Sequence, residues 1–555
     1  MKRFTLTHGL AAALASAAIV AGCLGGGDDD AAPATAPSAS YSAARDTVAT
    51  QKGTVAAAAD STASLRVFKA IPFAAPPVGA LRWKPPQPVT AWTGVRRSDS
   101  FSAACLQGNR PFGQVGSILY QQTEPQSEDC LYLNVWTGAT AGSSDASRPV
   151  MVLVHGGGYL LGAGSLPNYS GRGLAAKGAV VVTLNYRLGP LGFLAHPGLT
   201  AESSEATSGN YALLDVIAVL AWVRDNIAAF GGNPANVTVF SESAGAGISS
   251  VLLGSPKAQG LFHRMMLSSL GSLPAGSNTT TLAQAEAAGS TYATNLGAAD
   301  VAALRALPAA SVMAGAGSVS GPIVDGVVFP DQLDRLFATG QVADVPLLAG
   351  WNADEGTPYP AFATTLAAYD STATTRFGAL APAFKAVYPA SSDADVLAMA
   401  YSPMRDSLFA WQPWTLARAH AHLARAKTYL YFFTRRPPYY ADQHFNEQDP
   451  PSKYGAYHSL EQVYFYDNLD RSAPPRPYTD VDRTLAGAAS SYLINFARNG
   501  DPNGTGLPTW PVFAGPSSQT MVLGDTVAAG DVPFRAALDF YDTFYTQALG
   551  RALPF

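Results

Sequence analysis

Charged residues are scarce in this chain. Only 14% of its 555 residues are Asp, Glu, Lys or Arg, while 48% are hydrophobic, so the composition of a disordered chain is excluded for its bulk. The 35 basic and 40 acidic side chains leave a net charge of -5 at pH 7, without the basic surplus that a polyanion attracts, and no nucleic-acid partner is expected. Beyond the N-terminal leader no stretch reaches the ~18 uninterrupted apolar residues of a membrane span, which excludes an integral membrane protein. The eight His show no metal-ligand spacing; His420 and His422 fall two apart in a helix-like segment and point to different faces. Glycine and proline are abundant instead, at 52 and 40, and point to a loop-rich globule with sharply specified turns.

The N-terminus reads as an address. Lys2 and Arg3 precede an uncharged run from Leu10 to Val20 that ends in Ala21-Gly22-Cys23, the pattern of an export signal. Val20-Ala21-Gly22-Cys23 also resembles the bacterial lipobox, in which the Cys is acylated and becomes the mature N-terminus. Residues 1–22 are therefore expected to be a lipoprotein-type signal, and 23–44 a flexible tether of Gly, Asp, Ala, Pro and Ser that cannot pack. Residues 45–555 are expected to form one domain. Lipidated Cys23 would be the only membrane contact, which makes the chain a periplasm-facing or outer-membrane lipoprotein, otherwise a secreted protein, and Leu24 after it in place of Asp suggests outer-membrane sorting. With Cys23 consumed, Cys105 and Cys130 remain as a pair in a chain sent to an oxidising compartment, which predicts one disulfide.

From about residue 149 short apolar runs alternate with helical ones. Val150–Val154 and Ala179–Leu184 read as buried strands, and Val237–Phe240, Met265–Ser268, Val345–Ala349 and Thr428–Phe433 as further ones. Leu213, Ile217, Leu220 and Ile227 recur at helical spacing between Tyr211 and Phe230, marking one face of a helix that ends at Gly231-Gly232-Asn233-Pro234. A late helix is expected from about Asp482 to Arg498. This alternation is α/β, with a mostly parallel central sheet and helices on both faces. The Ala-rich segments 280–320 and 360–425 read as helical insertions over one face.

The strand at Val237–Phe240 runs straight into Ser241-Glu242-Ser243-Ala244-Gly245. A Ser between small residues on a strand-turn-helix is the nucleophile elbow of α/β-hydrolases, whose tight turn lifts the hydroxyl clear of the sheet. Ser241 stands where the usual G-x-S-x-G pattern has Gly. Upstream, His155-Gly156-Gly157-Gly158 follows another strand, and its bare backbone N–H groups suit an oxyanion hole with Gly157, Gly158 and Ala244 as donors. The hydroxyl needs a base, and the base an orienting carboxylate. His8 falls in the signal, and His155 in the Gly turn reads as structural. The chain order Ser, acid, His leaves His444 and His458 out of the remaining His196, His263, His444 and His458, and the residues alone do not choose between them.

Glu128-Asp129-Cys130-Leu131-Tyr132-Leu133-Asn134-Val135-Trp136 resembles the second signature of the type-B carboxylesterases, the family of cholinesterases, bacterial p-nitrobenzyl esterases and several fungal lipases. The resemblance runs through Ile71–Gly79, Asn185–Gly189, Phe230–Pro234, Gly350–Gly356 and Gly455–Glu461, in the family order. It implies an α/β-hydrolase fold, Ser243 as nucleophile, Glu355 rather than the adjacent Asp354 as triad acid, and His458 as base. His444, in a polar stretch, is then an exposed side chain. The same resemblance implies the Cys105–Cys130 bridge, an Arg82–Glu128 ion pair, a buried Arg187–Asp215 pair, and Glu242 as a carboxylate beside the site. No cofactor and no metal are required.

The partner implied is a small-molecule ester of short to medium acyl or aryl type. The 105–130 loop holds Phe112, Ile118, Leu119 and Tyr120 but not the Trp that binds choline esters in cholinesterases, so those are not expected substrates. Its apolar residues leave open a lid, as in the family's lipases acting on longer acylglycerols. Tyr159, Trp351 and Tyr359 are candidates for the pocket wall. A catalytically silent binding homologue is the contrary reading, and the presence of Ser243, Glu355 and His458 in order weighs against it.

Overall fold

Val150–Val154 is apolar at every position, and such a strand needs cover on both faces, which a parallel sheet between helical layers supplies. The computed structural model, which describes residues 42–107, 123–274, 280–315, 319–445 and 448–553, has this architecture. The signal, Cys23 and the lid candidates Phe112, Ile118, Leu119 and Tyr120 lie outside the described residues. Ser42–Phe555 forms one compact unit.

The main sheet comprises β1 (Arg66–Pro72), β2 (Tyr132–Thr137), β3 (Arg148–Val154), β4 (Val180–Leu184), β5 (Gly232–Glu242), β6 (Arg264–Ser268), β7 (Leu347–Asn352), β8 (Thr428–Phe433), β9 (Thr520–Leu523) and β10 (Val527–Gly530). Their order is β10-β9-β8-β7-β6-β5-β3-β4-β2-β1. Strands β3 to β9 pair in parallel, while β1–β2, β2–β4 and β9–β10 are antiparallel. The sheet grows one way from β3 to β4 and the other way from β3 to β5. That reversal opens a crevice at the carboxyl ends of β3 and β5, the place where open α/β sheets bind ligands.

Alternate residues of each strand feed two cores. Val150, Val152 and Val154 pack on one face of β3, and Met151 and Leu153 on the other. Helix α1 (Tyr211–Asn226) follows the expected periodicity, and its buried stripe is wider than those positions mark. Tyr211, Asp215, Val216, Val219, Trp222 and Val223 are buried as well, and Ile217 only partly. A short helix, Gly189–Phe193, packs against α1 within that buried face, with Gly192 beside Ala212.

Helix α2 (Ala244–Gly254) follows β5 directly. The two Ala-rich segments are helical as expected, with Leu282–Asn295, Val301–Ala306 and Ala309–Met313 in the first. The second holds Leu366–Phe377, Ala381–Val387 and Asp393–Met399, then a π-helical turn, Arg405–Ala410, that runs into α3 (Trp411–Leu423). Helix α4 (Asp480–Asn499) is the expected late helix, held at its start by the Thr479 N–H donating to Asp482 Oδ2 at 2.8 Å.

Both ion pairs implied by the resemblance are formed. Arg82 grips Glu128 with two bonds of 2.7 and 2.6 Å, and Arg187 grips Asp215 with two of 2.8 and 2.7 Å. Arg187 Nη1 also donates to Lys84 O at 2.8 Å, so the buried guanidinium is bonded beyond its carboxylate. Cys105 and Cys130 are joined by a disulfide.

Candidate active site

β5 ends at Glu242 and α2 begins at Ala244, so Ser243 alone makes the turn between them, at φ 52° and ψ -129°. A non-glycine residue held there carries backbone strain, which the surrounding bonds must hold. The Ser243 N–H donates to Ser268 O at 2.9 Å and the Ser243 carbonyl accepts from Gly247 N at 3.0 Å. Small neighbours are obligatory: a Cβ on Gly245 would lie 2.2 Å from Val154 O, and one on Gly247 2.2 Å from the Tyr159 hydroxyl. Ser241, the departure from the glycine pattern, is buried and donates to Met266 O at 3.2 Å, so β6 absorbs its hydroxyl.

Three distant segments meet here. His458 Nε2 lies 2.8 Å from Ser243 Oγ, and His458 Nδ1 lies 2.6 Å from Glu355 Oε2. The other carboxylate oxygen, Glu355 Oε1, accepts from Ser269 Oγ at 2.5 Å and from Asn352 N at 2.7 Å. Glu355 is thus held on both oxygens at the end of β7, with Nδ1 of His458 as donor to it and Nε2 left to face the hydroxyl. Burial pushes the Glu355 carboxyl up, and the Ser269 and Asn352 bonds and the Arg405 charge pull it back. Burial lowers His458, and the Glu242 carboxylate, 3.0 Å from Nε2, opposes that shift. Glu242 itself is pushed up by burial to about 7, against His458 and the Ser459 hydroxyl that donates to it.

The alternatives sort cleanly. Asp354 turns away, accepting from Ala456 N at 2.8 Å, and His444 is exposed beside Asp449 at 3.0 Å. His420 is buried between Thr428 Oγ1 and Val345 O, at 2.7 and 3.0 Å, and burial lowers it to about 4.

The glycine turn follows β3. His155 stacks on Tyr186 with centroids 4.2 Å apart, and its Nδ1 lies 2.8 Å from Gly156 O. A carbonyl only accepts, so Nδ1 carries the proton; burial lowers this imidazole to about 4 and keeps it neutral. Gly157 O accepts from Leu160 N and Leu161 N at 3.1 and 3.0 Å. In a planar trans peptide each N–H points opposite to the preceding carbonyl. These bonds on Gly156 O and Gly157 O therefore direct the N–H groups of Gly157 and Gly158 to the opposite side. Ala244 opens α2, so its N–H has no acceptor within the helix.

Aromatic rings enclose the imidazole. Phe409, from the π-helical turn, packs 4.3 Å from the His458 ring and Tyr359 5.6 Å from it, centroid to centroid. Trp351 does not join them; it is buried in the core against Phe432. Ser269, Asn352 and Phe409 escaped the sequence reading, because only the spatial meeting of β6, β7 and the insertion reveals them. Among the described residues no group of His, Cys, Asp and Glu side chains is placed to hold a metal ion.

The profile of the carboxylesterase family matches residues 44–540. The chain is 38% identical over 490 residues to fumonisin B1 esterase of Sphingopyxis macrogoltabida, covering 84% of this chain and 85% of that protein. It is 34% identical to para-nitrobenzyl esterase of Bacillus subtilis (strain 168), covering 88% and 96%, and 35% identical to cocaine esterase of Oryctolagus cuniculus, covering 83% and 88%. Among solved structures, a PNB esterase superposes with a TM-score of 0.72 at 32% identity, covering 89% of this chain and 99% of that one. A thermophilic PNB esterase reaches 0.73 at 32% identity. With an α/β-hydrolase sheet, a serine on the elbow after β5 and this likeness over nearly its whole described length, the chain belongs to the carboxylesterase family and is a carboxylic ester hydrolase.

Proposed function

We propose that the protein is a serine carboxylesterase that cleaves esters of short to medium acyl or aryl type through an acyl-enzyme on Ser243. The reading rests on one observation, the continuous line of hydrogen bonds Ser243–His458–Glu355 at 2.8 and 2.6 Å. Ser243 Oγ attacks the ester carbonyl while His458 Nε2 takes its proton, and Glu355 orients the ring and stabilises its cation. The carbonyl oxygen, now an oxyanion, is met by the N–H groups of Gly157, Gly158 and Ala244. The imidazolium returns its proton to the leaving alcohol. Water, activated by the same ring, then attacks the acyl-enzyme and releases the acid.

Mass spectrometry after treatment with an organophosphonate tests the assignment: the parent is labelled on Ser243 and Ser243→Ala is not. Equal labelling of the two would refute it. A chain-length series of p-nitrophenyl and feruloyl-type esters tests the substrate class, and a rate that jumps when a long-chain acylglycerol forms an emulsion would move that class to lipase. We also propose that the chain is exported and tethered through lipidated Cys23. The Cys105–Cys130 bond supports export, because disulfides persist in oxidising compartments. Incorporation of labelled palmitate into the parent but not into Cys23→Ser is the expected result.

A further inference from the structure

We propose that Gln107 is a positioning residue of the oxyanion cradle, holding the glycine turn after β3 by pairing both backbone groups of Gly162. The inference rests on the acyl-transfer reading and adds to it a residue that never touches substrate.

Three successive glycines cannot hold their own geometry, because each surrenders more backbone freedom on folding than any other residue. Their fixation has to come from outside. Gln107 Nε2 donates to Gly162 O at 2.7 Å, and Gly162 N donates to Gln107 Oε1 at 3.2 Å. One side-chain amide thereby supplies what a neighbouring strand would. Gly162 sits at φ +109°, and a Cβ there would lie 2.3 Å from His155 Nδ1, so its backbone is pressed against the imidazole. That imidazole holds Gly156 O, and the planar peptide passes the orientation to the Gly157 N–H. Two contacts and one peptide plane connect Gln107 to an oxyanion donor.

The other end of Gln107 is equally well fixed. It stands at the base of the bridged loop, two residues after Cys105, where Ala104–Cys105 pairs with Gln126–Ser127. Its own N–H donates to Gln126 Oε1 at 3.0 Å. Asn185 braces the same two parts: its Nδ2 donates to Ala103 O and Cys130 O at 3.1 Å each, and its Oδ1 accepts from Gly164 N at 2.9 Å. Ser165 Oγ adds a bond of 3.1 Å to Glu124 Oε2. The disulfide therefore does more than close a loop: it anchors the platform from which Gln107 reaches the cradle.

Gln107→Leu removes both bonds, and Gln107→Glu keeps the shape but replaces the donor by a carboxylate facing Gly162 O. Rates are taken per active site, counted by end-point phosphonate titration of Ser243, so that misfolded molecules do not enter. A displaced donor should lower kcat/KM by roughly 10- to 100-fold, chiefly in kcat. Affinity for a trifluoromethyl ketone, which places an oxyanion in the cradle, should fall by the same factor. Affinity for the unreactive methyl ketone and the acid limb of the pH profile should not move. Rates within twofold of the parent in both variants, an equal loss for the two ketones, or a moved acid limb would overturn the proposal. Undiminished labelling of Ser243→Ala would instead strike at the acyl-transfer reading itself, so the two failures are distinguishable.

Discussion

His458 Nε2 lies 3.0 Å from Glu242 Oε1, and the same nitrogen lies 2.8 Å from Ser243 Oγ. The base therefore faces the nucleophile and a second buried carboxyl at once. When His458 takes the proton, Glu242 stands ready to stabilise the cation together with Glu355. Burial disfavours the charged imidazole and Glu242 favours it, so removing that charge lowers the His458 pKa further. For Glu242→Gln we expect the acid limb of kcat/KM to move to lower pH and the plateau at about pH 8 to drop on the order of 10-fold, equivalent to about 1.4 kcal/mol. A pH–rate profile of parent and variant checks both. An unmoved limb would show that Glu242 is only a packed acid.

Ser269 and Asn352 hold the same oxygen of Glu355, at 2.5 and 2.7 Å. Hydrogen bonds to a charged group are worth about 1.5–3 kcal/mol, and here they keep the carboxylate in line with the ring rather than bind substrate. Ser269→Ala should lower kcat about 10-fold or more with little change in KM. Steady-state kinetics on a p-nitrophenyl ester decide it, and a change confined to KM would contradict the assignment.

Much of this was readable from residues alone, and for a physical reason. Strands buried on both faces are uniformly apolar, so β3, β4 and β8 stand out, and the elbow and glycine turn follow strands because the crevice lies at their carboxyl ends. The edges were harder to read. β1 is broken by a register shift between Phe68 and Ile71, and β9 and β10 are four residues each, too short for a pattern to show. The choice of His458 over His444 came from family likeness, since both lie late in the chain in polar or glycine-bearing segments. Gln107, Ser269 and Phe409 act through contacts between segments distant in sequence, and no local spacing announces such contacts.

Two glycines should respond oppositely to the same change. A Cβ on Gly157, at φ +107°, would lie 2.2 Å from Leu161 O, so Gly157→Ala must displace the turn. Loss of one oxyanion donor costs about 10²–10³ in kcat, and we expect a fall of that order. Gly487, inside α4, has nothing within 4 Å of the added carbon. Gly487→Ala should raise stability by about 0.5–1 kcal/mol and leave kcat unchanged. Urea unfolding and kinetics on both variants measure the contrast.

Arg187 and Asp215 are almost wholly buried, with side-chain exposures of 4% and 0%. Removing one partner strands the other charge in the core. Arg187→Met alone and Asp215→Leu alone should each destabilise by about 3–5 kcal/mol, while the double replacement should cost clearly less than their sum. Denaturant midpoints of the four proteins form the cycle. Strict additivity would mean that the pair does not act as a unit.

Glu461 follows His458 by three positions, and its Oε2 accepts from Asn352 Nδ2 at 2.5 Å. Burial, reinforced by the nearby Glu355 charge, pushes its carboxyl from the ordinary 4.5 up to about 8. Between those values the folded protein keeps a proton that the unfolded chain has released. Stability from this group is therefore full below the unfolded value and is lost as pH rises through the folded one. The stability that Glu461 contributes should therefore fall between about pH 5 and about pH 9. Glu461→Gln keeps the size and the acceptor for Asn352 but cannot ionise, and its stability should decline less steeply over that range. Urea midpoints at both pH values test this, and parallel declines in parent and variant would show that Glu461 does not hold a proton in the fold.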